Sequence, residues 1–291
     1  MFYRSISWYY QPDNDCFIKL YQSLSRVDLF FGLISIYERV NLMLKLYTNK
    51  AVLHSLVWLA LYLIINTITG NLATSLEMET HIVSALPNLL LAVICLLYLL
   101  RTKISEKIGL FTKPSANTKT MLFYLPVIAL PFLNIFYGIN HKLSVIDVLA
   151  LLAMYIGVGF MEEIIFRGLM FKALDEKWNR YIVVLFISLT FAIGHIVSVV
   201  AIGQSLPDTI LQIINAFVVG FMFMLIILAS GNLTVCVITH VLYNFFASIS
   251  LINSTNTQII YANLIITALY FVYLLFRSQN LKDYFKATDR A

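Results

Sequence analysis

Long apolar stretches alternate with short polar connections along most of the chain. A membrane-spanning helix needs roughly 20 predominantly apolar residues. Eight stretches meet this requirement, namely 51–69, 82–100, 121–139, 143–161, 181–203, 209–229, 233–253 and 259–276. The pattern therefore predicts an all-α, polytopic membrane protein with about eight transmembrane helices, which form a bundle over residues 51–276.

The composition agrees with a membrane protein and excludes a sizeable soluble domain. Of the 291 residues, 60% are hydrophobic and only 12% are charged, whereas soluble domains carry about 25% charged residues. Outside the bundle we expect an N-terminal extension over residues 1–50 and a cytoplasmic tail over residues 277–291. Residues 28–50 show an amphipathic pattern that is typical of a helix lying in the membrane interface.

The net charge of +5 is distributed unevenly along the chain. Lys and Arg residues collect in 1–50, in 101–120, in 172–180 and after residue 276, while the alternate connections are nearly free of them. Cytoplasmic loops of membrane proteins carry such an excess of positive charge. The distribution predicts a multi-pass protein of the plasma membrane with both termini cytoplasmic, and it gives no reason to expect a nucleic-acid partner.

Three ionisable residues continue the fourth predicted span, whose helical pattern extends to about Leu174. They are Glu162, Glu163 and Arg167. A charge at the centre of a membrane helix costs roughly 2.5–3.5 kcal/mol, so these residues require partners or a function. Glu163 and Arg167 are one helical turn apart and can form an ion pair. Glu162 then remains available and is a candidate general base.

Two histidines, His195 and His240, fall well inside the fifth and seventh predicted spans. Asn244 lies one turn after His240 on the same helical face, and Phe191, one turn before His195, is expected to serve packing. Gly194 would allow close helix approach. The two histidines and Glu162 lie at comparable depths, so we expect spans four, five and seven to be neighbours around one cavity.

Three short motifs thus occur in order on separate spans: EExxxR at 162–167, FxxxH at 191–195 and HxxxN at 240–244. Their order resembles that of the CAAX protease and bacteriocin-processing family, also called the CPBP or Abi family, and in particular intramembrane endopeptidases of the CAAX prenyl protease 2 type. The resemblance covers about residues 143–250. It implies hydrolysis of a peptide bond in a membrane-associated protein or peptide.

The resemblance also implies roles for individual residues. Glu162 would activate water, His195 would be its partner, and His240 with Asn244 would stabilise the oxyanion. The supporting residues would be Glu163, Arg167 and Phe191.

Zinc is the alternative to direct activation of water by the glutamate. Family members are often described as metalloproteases, and Glu162, His195 and His240 also make a zinc-ligand set. The sequence has no HExxH pair on one helix, and Asn244 suits an oxyanion donor better than a metal ligand. We therefore favour a mechanism without a cofactor and keep zinc as the alternative.

Two other classes of function are compatible with the pattern: a non-hydrolytic membrane scaffold or regulator, and a proton-coupled transporter. Transporters tend to show repeats and interrupted helices at the site, but Pro87, Pro126 and Pro131 interrupt spans other than those of the motifs. Within the peptidase class, the substrate stays open among CAAX-type C-termini, bacteriocin or signal-peptide precursors, and peptides involved in self-immunity.

Overall fold

A computed structural model describes residues 37–112, 124–197, 203–251 and 256–286. The chain divides into two compact units, residues 1–46 and 47–291. In the first unit, residues 37–46 are helical, and the part of the predicted interfacial helix before residue 37 lies outside the described residues. In the second unit the described residues form helices and no strand, apart from one isolated bridge between Ile139 and Ser250. The predicted all-α fold is confirmed.

Each predicted span corresponds to one helix. The helices are α1 (Ala51–Ser75), α2 (Thr80–Arg101), α3 (Leu125–Ile135), α4 (Val145–Asp175), α5 (Arg180–Gly194), α6 (Leu206–Ser230), α7 (Leu233–Ile249) and α8 (Thr257–Arg277). A ninth helix, α9 (Gln279–Lys286), follows α8. A single turn at Ile104–Lys107 lies in the connection after α2.

Five of these helices, α1, α2, α4, α6 and α8, are long and apolar enough to cross a membrane. The helices of the three remaining predicted spans are shorter, with 11 residues in α3, 15 in α5 and 17 in α7. The five long apolar helices make the chain an integral, multi-pass membrane protein.

Helix α5 is shorter than the sequence predicts. The apolar pattern indicates a span over 181–203, but the helix ends at Gly194 and His195 is its C-cap residue. Glycine lowers helix stability because it has the most backbone freedom to lose. His195 is therefore at the end of a helix and not in its middle, which corrects the expectation from the sequence.

Helix α4 extends to Asp175, close to the predicted end at Leu174, but it is not α-helical throughout. The segment Ile164–Met170 is a π-helix, and all seven of its residues are buried. The helix returns to α geometry at Phe171–Asp175. π-Helical turns are rare and occur frequently at functional sites, and this one begins directly after the two glutamates.

Helix α4 lies at the centre of the bundle, packed between α2 and α7. Two glycines permit this close packing. A Cβ atom on Gly157 would lie 2.5 Å from the backbone carbonyl carbon of Asn88, and one on Gly159 would lie 2.9 Å from a methyl group of Val241. Since both glycines lie on the turns before Glu162, the close contacts fix how the glutamates approach α2 and α7.

Candidate active site

The two consecutive glutamates at the end of the α-helical part of α4 have different surroundings. The side chain of Glu163 is completely buried, whereas that of Glu162 is 14% exposed. Glu162 lines a cavity of about 540 Å³, and Glu163 does not. The structure therefore separates a carboxylate inside the protein from a carboxylate that a ligand can reach.

Glu163 is held by two positively polarised groups. Nη1 of Arg167 donates to its Oε1 over 3.1 Å, and Nδ1 of His240 donates to the same oxygen over 2.8 Å. The ion pair between Glu163 and Arg167 is the one predicted from their spacing. A buried charge without a partner would cost several kcal/mol, so these contacts explain how Glu163 is tolerated inside the bundle.

The guanidinium of Arg167 lies in an aromatic enclosure. Its central carbon is 4.0 Å from the centroid of the Phe191 ring and 5.8 Å from that of Phe223. A cation over an aromatic face is stabilised by about 2 kcal/mol or more when it is removed from water. Phe191, which the sequence suggests as a packing residue, therefore also stabilises the buried charge.

Two polar side chains of the described residues contact the Glu162 carboxylate directly. The hydroxyl of Tyr62, on α1, donates to Oε1 over 2.6 Å, and Nε2 of His240 lies 3.5 Å from Oε2. Sequence reasoning missed Tyr62, because a single tyrosine in an apolar span carries no motif and its partner is 100 residues away in the chain. Only the folded structure shows that the ring of Tyr62 is buried and that its hydroxyl contacts Glu162.

His240 lies between the two glutamates, with one ring nitrogen turned to each. A carboxylate only accepts hydrogen bonds, while a neutral imidazole donates from one nitrogen only. The hydrogen bond of 2.8 Å joins Nδ1 to Glu163, whereas Nε2 makes only a contact of 3.5 Å with Glu162.

His195 faces the cavity from the end of α5. Its Nδ1 lies 3.2 Å from the carbonyl oxygen of Phe191, so Nδ1 donates and, in the neutral ring, Nε2 has the free lone pair. The preceding Gly194 also lines the cavity, and a Cβ atom there would meet nothing within 4 Å among the described residues. Among the described residues Gly194 thus mediates no close helix packing, contrary to the expectation from the sequence.

The cavity is lined mainly by apolar side chains of α1 and α5, with part of α4 between them. Its wall extends to Trp178, after α4, and to Ser84, near the start of α2. Of the four predicted catalytic residues, Glu162 and His195 line it and the other two do not. His240 is buried behind Glu162, and Asn244 is half-buried on α7 with no hydrogen bond to any described residue.

The predicted neighbourhood of spans four, five and seven is present. Helix α4 packs against α7, and its π-helical segment packs against α5. Helices α5 and α7 meet where the ring of Phe191 lies 5.8 Å from that of His240.

The grouping of possible metal ligands bears on the zinc alternative. No three His, Cys, Asp or Glu residues within 37–112, 124–197, 203–251 and 256–286 are grouped so that they could hold a metal ion. His240 turns Nδ1 to Glu163 and Nε2 to Glu162.

Residues 144–246 match the protein family described as Type II CAAX prenyl endopeptidase Rce1-like. The match begins at the N-cap residue of α4 and ends within α7, so it contains all three motifs and leaves out α1 with Tyr62. Comparison with curated proteins and with solved structures gave no match.

Proposed function

Because residues 144–246 match the family of type II CAAX prenyl endopeptidases, we propose that the chain is an intramembrane endopeptidase of this family and that it hydrolyses a peptide bond with water activated by Glu162. His195 would assist Glu162, and His240 with Asn244 would stabilise the oxyanion. Glu163, Arg167 and Phe191 would hold these groups in place. The substrate would be a membrane-associated protein or peptide.

One observation carries this proposal: of the two consecutive glutamates, only Glu162 reaches the cavity. Glu163 is fully buried and bound to Arg167 and His240, so its carboxylate is not available to a substrate. Glu162 lines the same open space as His195. A general base must be within hydrogen-bond reach of the water that it deprotonates, and a water in this cavity would have such access to Glu162.

In the proposed reaction, Glu162 takes a proton from water while the water oxygen attacks the carbonyl carbon of the scissile bond. The carbonyl oxygen becomes an oxyanion, and a donor near it stabilises the tetrahedral intermediate. The carbon–nitrogen bond then breaks, and the proton held by Glu162 passes to the leaving amine. The lone pair on Nε2 of His195 can orient the attacking water.

His240 is suited to stabilise developing negative charge beside Glu162. Its Nε2 is 3.5 Å from Glu162 Oε2, a long contact, so a protonated Nε2 can donate to a closer acceptor such as an oxyanion. The bond from Nδ1 to Glu163 fixes the ring meanwhile. Asn244 would join it through a change of side-chain rotamer.

We also propose that both termini are cytoplasmic in the plasma membrane. Basic residues lie in the connections after α2 and α4 and in α9. The α4–α5 connection and α9 are at the same end of the bundle, since Tyr284 of α9 donates a hydrogen bond to Asp175. Positive charge grouped at one end is typical of the cytoplasmic side.

The test of catalysis uses purified protein in phosphatidylcholine vesicles with a farnesylated peptide that ends in a CAAX sequence. We expect Glu162→Gln to lower turnover by about 10²- to 10⁴-fold, the usual contribution of a general base, with little change in thermal stability. The matched variant is Glu163→Gln, which removes the charge of the buried ion pair. Compared with Glu162→Gln, it should lower thermal stability more and turnover less. Equal turnover of wild type and Glu162→Gln would refute the proposal.

The substrate class is tested separately by quantitative analysis of protein termini in membranes from cells that express wild type or Glu162→Gln. Termini that depend on Glu162 identify the substrate as a CAAX-type C-terminus, a bacteriocin precursor or a signal-peptide precursor. Expression of the wild type is compared with its absence to define a cellular phenotype. If no terminus changes but the Glu162→Gln cells keep the wild-type phenotype, the protein is a scaffold. Proton-coupled uptake that Glu162→Gln abolishes, without any change in termini, would indicate a transporter.

A further inference from the structure

We infer that Tyr62, on α1, is a positioning residue that holds the Glu162 carboxylate in the orientation needed to activate water. The inference rests on the proposed function and extends the site to a helix outside the matched segment 144–246. Its basis is the hydrogen bond of 2.6 Å from the Tyr62 hydroxyl to Oε1 of Glu162. A hydroxyl bonded to an ionised carboxylate at this distance forms one of the stronger hydrogen bonds in proteins.

The bond distinguishes the two oxygens of Glu162. Oε1 is occupied by Tyr62, while Oε2 faces His240 at 3.5 Å. A carboxylate fixed at one oxygen cannot rotate freely about its terminal torsion, which is otherwise soft. Tyr62 therefore leaves Oε2 as the oxygen that takes the proton from water.

Tyr62 is itself held in place by a closed series of contacts through α2. One turn after Tyr62, Asn66 donates to the carbonyl oxygen of Tyr62 over 2.9 Å. The amides of Asn66 and Asn88 bond reciprocally over 3.3 Å in each direction. The backbone of Asn88 touches Gly157, five residues before Glu162.

The series therefore starts and ends at Glu162. It runs from α4 to α2 through a close backbone contact, from α2 to α1 through paired amides, and from α1 back to α4 through the hydroxyl of Tyr62. Each step joins buried or half-buried groups. These contacts between α1, α2 and α4 fix the position of the Tyr62 hydroxyl relative to Glu162. Supporting contacts of this kind hold catalytic side chains in their working geometry.

Tyr62→Phe removes the hydroxyl and keeps the ring. With the farnesylated CAAX peptide, we expect kcat to fall roughly 10- to 100-fold, as for loss of a hydrogen bond to a charged group, while KM stays within about two-fold. The matched control is Tyr98→Phe. Tyr98 is 7% exposed, as is Tyr62, and it also bonds a side chain, Nε2 of His54, over 2.9 Å.

A spectroscopic measurement makes the test independent of the choice of substrate. Infrared difference spectra between wild type and Tyr62→Phe should show a shifted carboxylate stretching band. The same substitution made in the Glu162→Gln variant should show no such shift, because the accepting carboxylate is absent. Tyr98→Phe should leave the band unchanged in both backgrounds.

The outcomes separate the inference from the proposed function. If Glu162→Gln retains turnover, the proposed mechanism fails, whatever Tyr62→Phe does. If Glu162→Gln is inactive but Tyr62→Phe has the wild-type kcat and no band shift, only the role of Tyr62 is refuted. A raised KM with unchanged kcat would make Tyr62 a substrate contact and would also overturn the inference.

Discussion

The guanidinium of Arg167 occupies the space that a side chain at Gly220 would need. A Cβ atom on Gly220, in α6, would lie 2.6 Å from Nη2 of Arg167 and 2.9 Å from Cδ1 of Phe191. We expect Gly220→Ala to displace the buried cation and to lower the free energy of unfolding by about 1–3 kcal/mol, as overpacking does. Thermal or denaturant unfolding in detergent micelles measures this change.

Gly194→Ala is the matched control for Gly220→Ala. It makes the same substitution, but its Cβ would meet no described atom within 4 Å. Alanine also has the higher helix propensity, so stability should be unchanged or slightly higher. Equal destabilisation by the two variants would show that the contact between Gly220 and Arg167 is not the cause.

The buried ion pair gives a second prediction. Arg167→Met leaves Glu163 buried without its guanidinium partner, and loss of one partner typically costs about 3–5 kcal/mol. The double variant Glu163→Gln with Arg167→Met removes both charges and should be more stable than Arg167→Met alone. A double-mutant cycle of unfolding free energies tests this, and simple addition of the two single effects would contradict it.

A third prediction concerns α9, whose Tyr284 bonds Asp175 at the end of α4 over 2.6 Å. The ring of Tyr284 also packs under the guanidinium of Arg180, which begins α5. Tyr284→Phe should cost about 1 kcal/mol of stability. The control Tyr261→Phe, at an exposed tyrosine on α8, should be neutral.

The same variant has a predicted pH dependence. Burial, and next the hydrogen bond to Asp175, raises the pKa of the Tyr284 hydroxyl. A group whose pKa is raised by folding contributes fully to the free energy of unfolding at pH values below its pKa in the unfolded chain, which is about 10 for tyrosine. This contribution is lost as the pH rises through the pKa of the folded protein. The stability difference between wild type and Tyr284→Phe should be constant from pH 6 to 9 and decline only above about pH 10. A decline already between pH 7 and 9 would contradict this assignment.

A fourth prediction concerns metal. Because no three possible metal ligands are grouped among the described residues, we expect turnover of the farnesylated CAAX peptide to persist after treatment with a chelator and dialysis. Elemental analysis of the purified protein should show less than stoichiometric zinc. Stoichiometric zinc whose removal abolishes turnover, and whose return restores it, would establish a metal mechanism.

Much of the fold could be predicted because its signals are local in sequence. Helices α1 to α8 coincide with continuous runs of apolar residues, so all eight segments were identifiable as helices, and five of them are long and apolar enough to cross a membrane. The ion pair between Glu163 and Arg167 was predictable for the same reason, since residues one turn apart face each other on a helix. The candidates Glu162, His195 and His240 were conspicuous because ionisable side chains are costly in a membrane.

The end of α5 and the π-helical segment of α4 were not predictable from apolar periodicity. Apolar residues continue past Gly194, so the pattern does not mark the point where the helix stops. A π-helical turn changes the hydrogen-bonding register without altering composition. Both features place site residues: His195 caps α5, and Arg167 lies within the π-helical segment.

The sequence by itself determined that the chain is a helical membrane protein with a glutamate pair and two histidines in its interior, because hydrophobicity and helical spacing act over neighbouring residues. Only the tertiary structure decided that the cavity lies beside Glu162, that His240 lies between the two glutamates, and that Tyr62 and Gly220 contact the motif residues. Those relationships join side chains on different helices, and the packing of the helices, not their spacing in the chain, sets the distances.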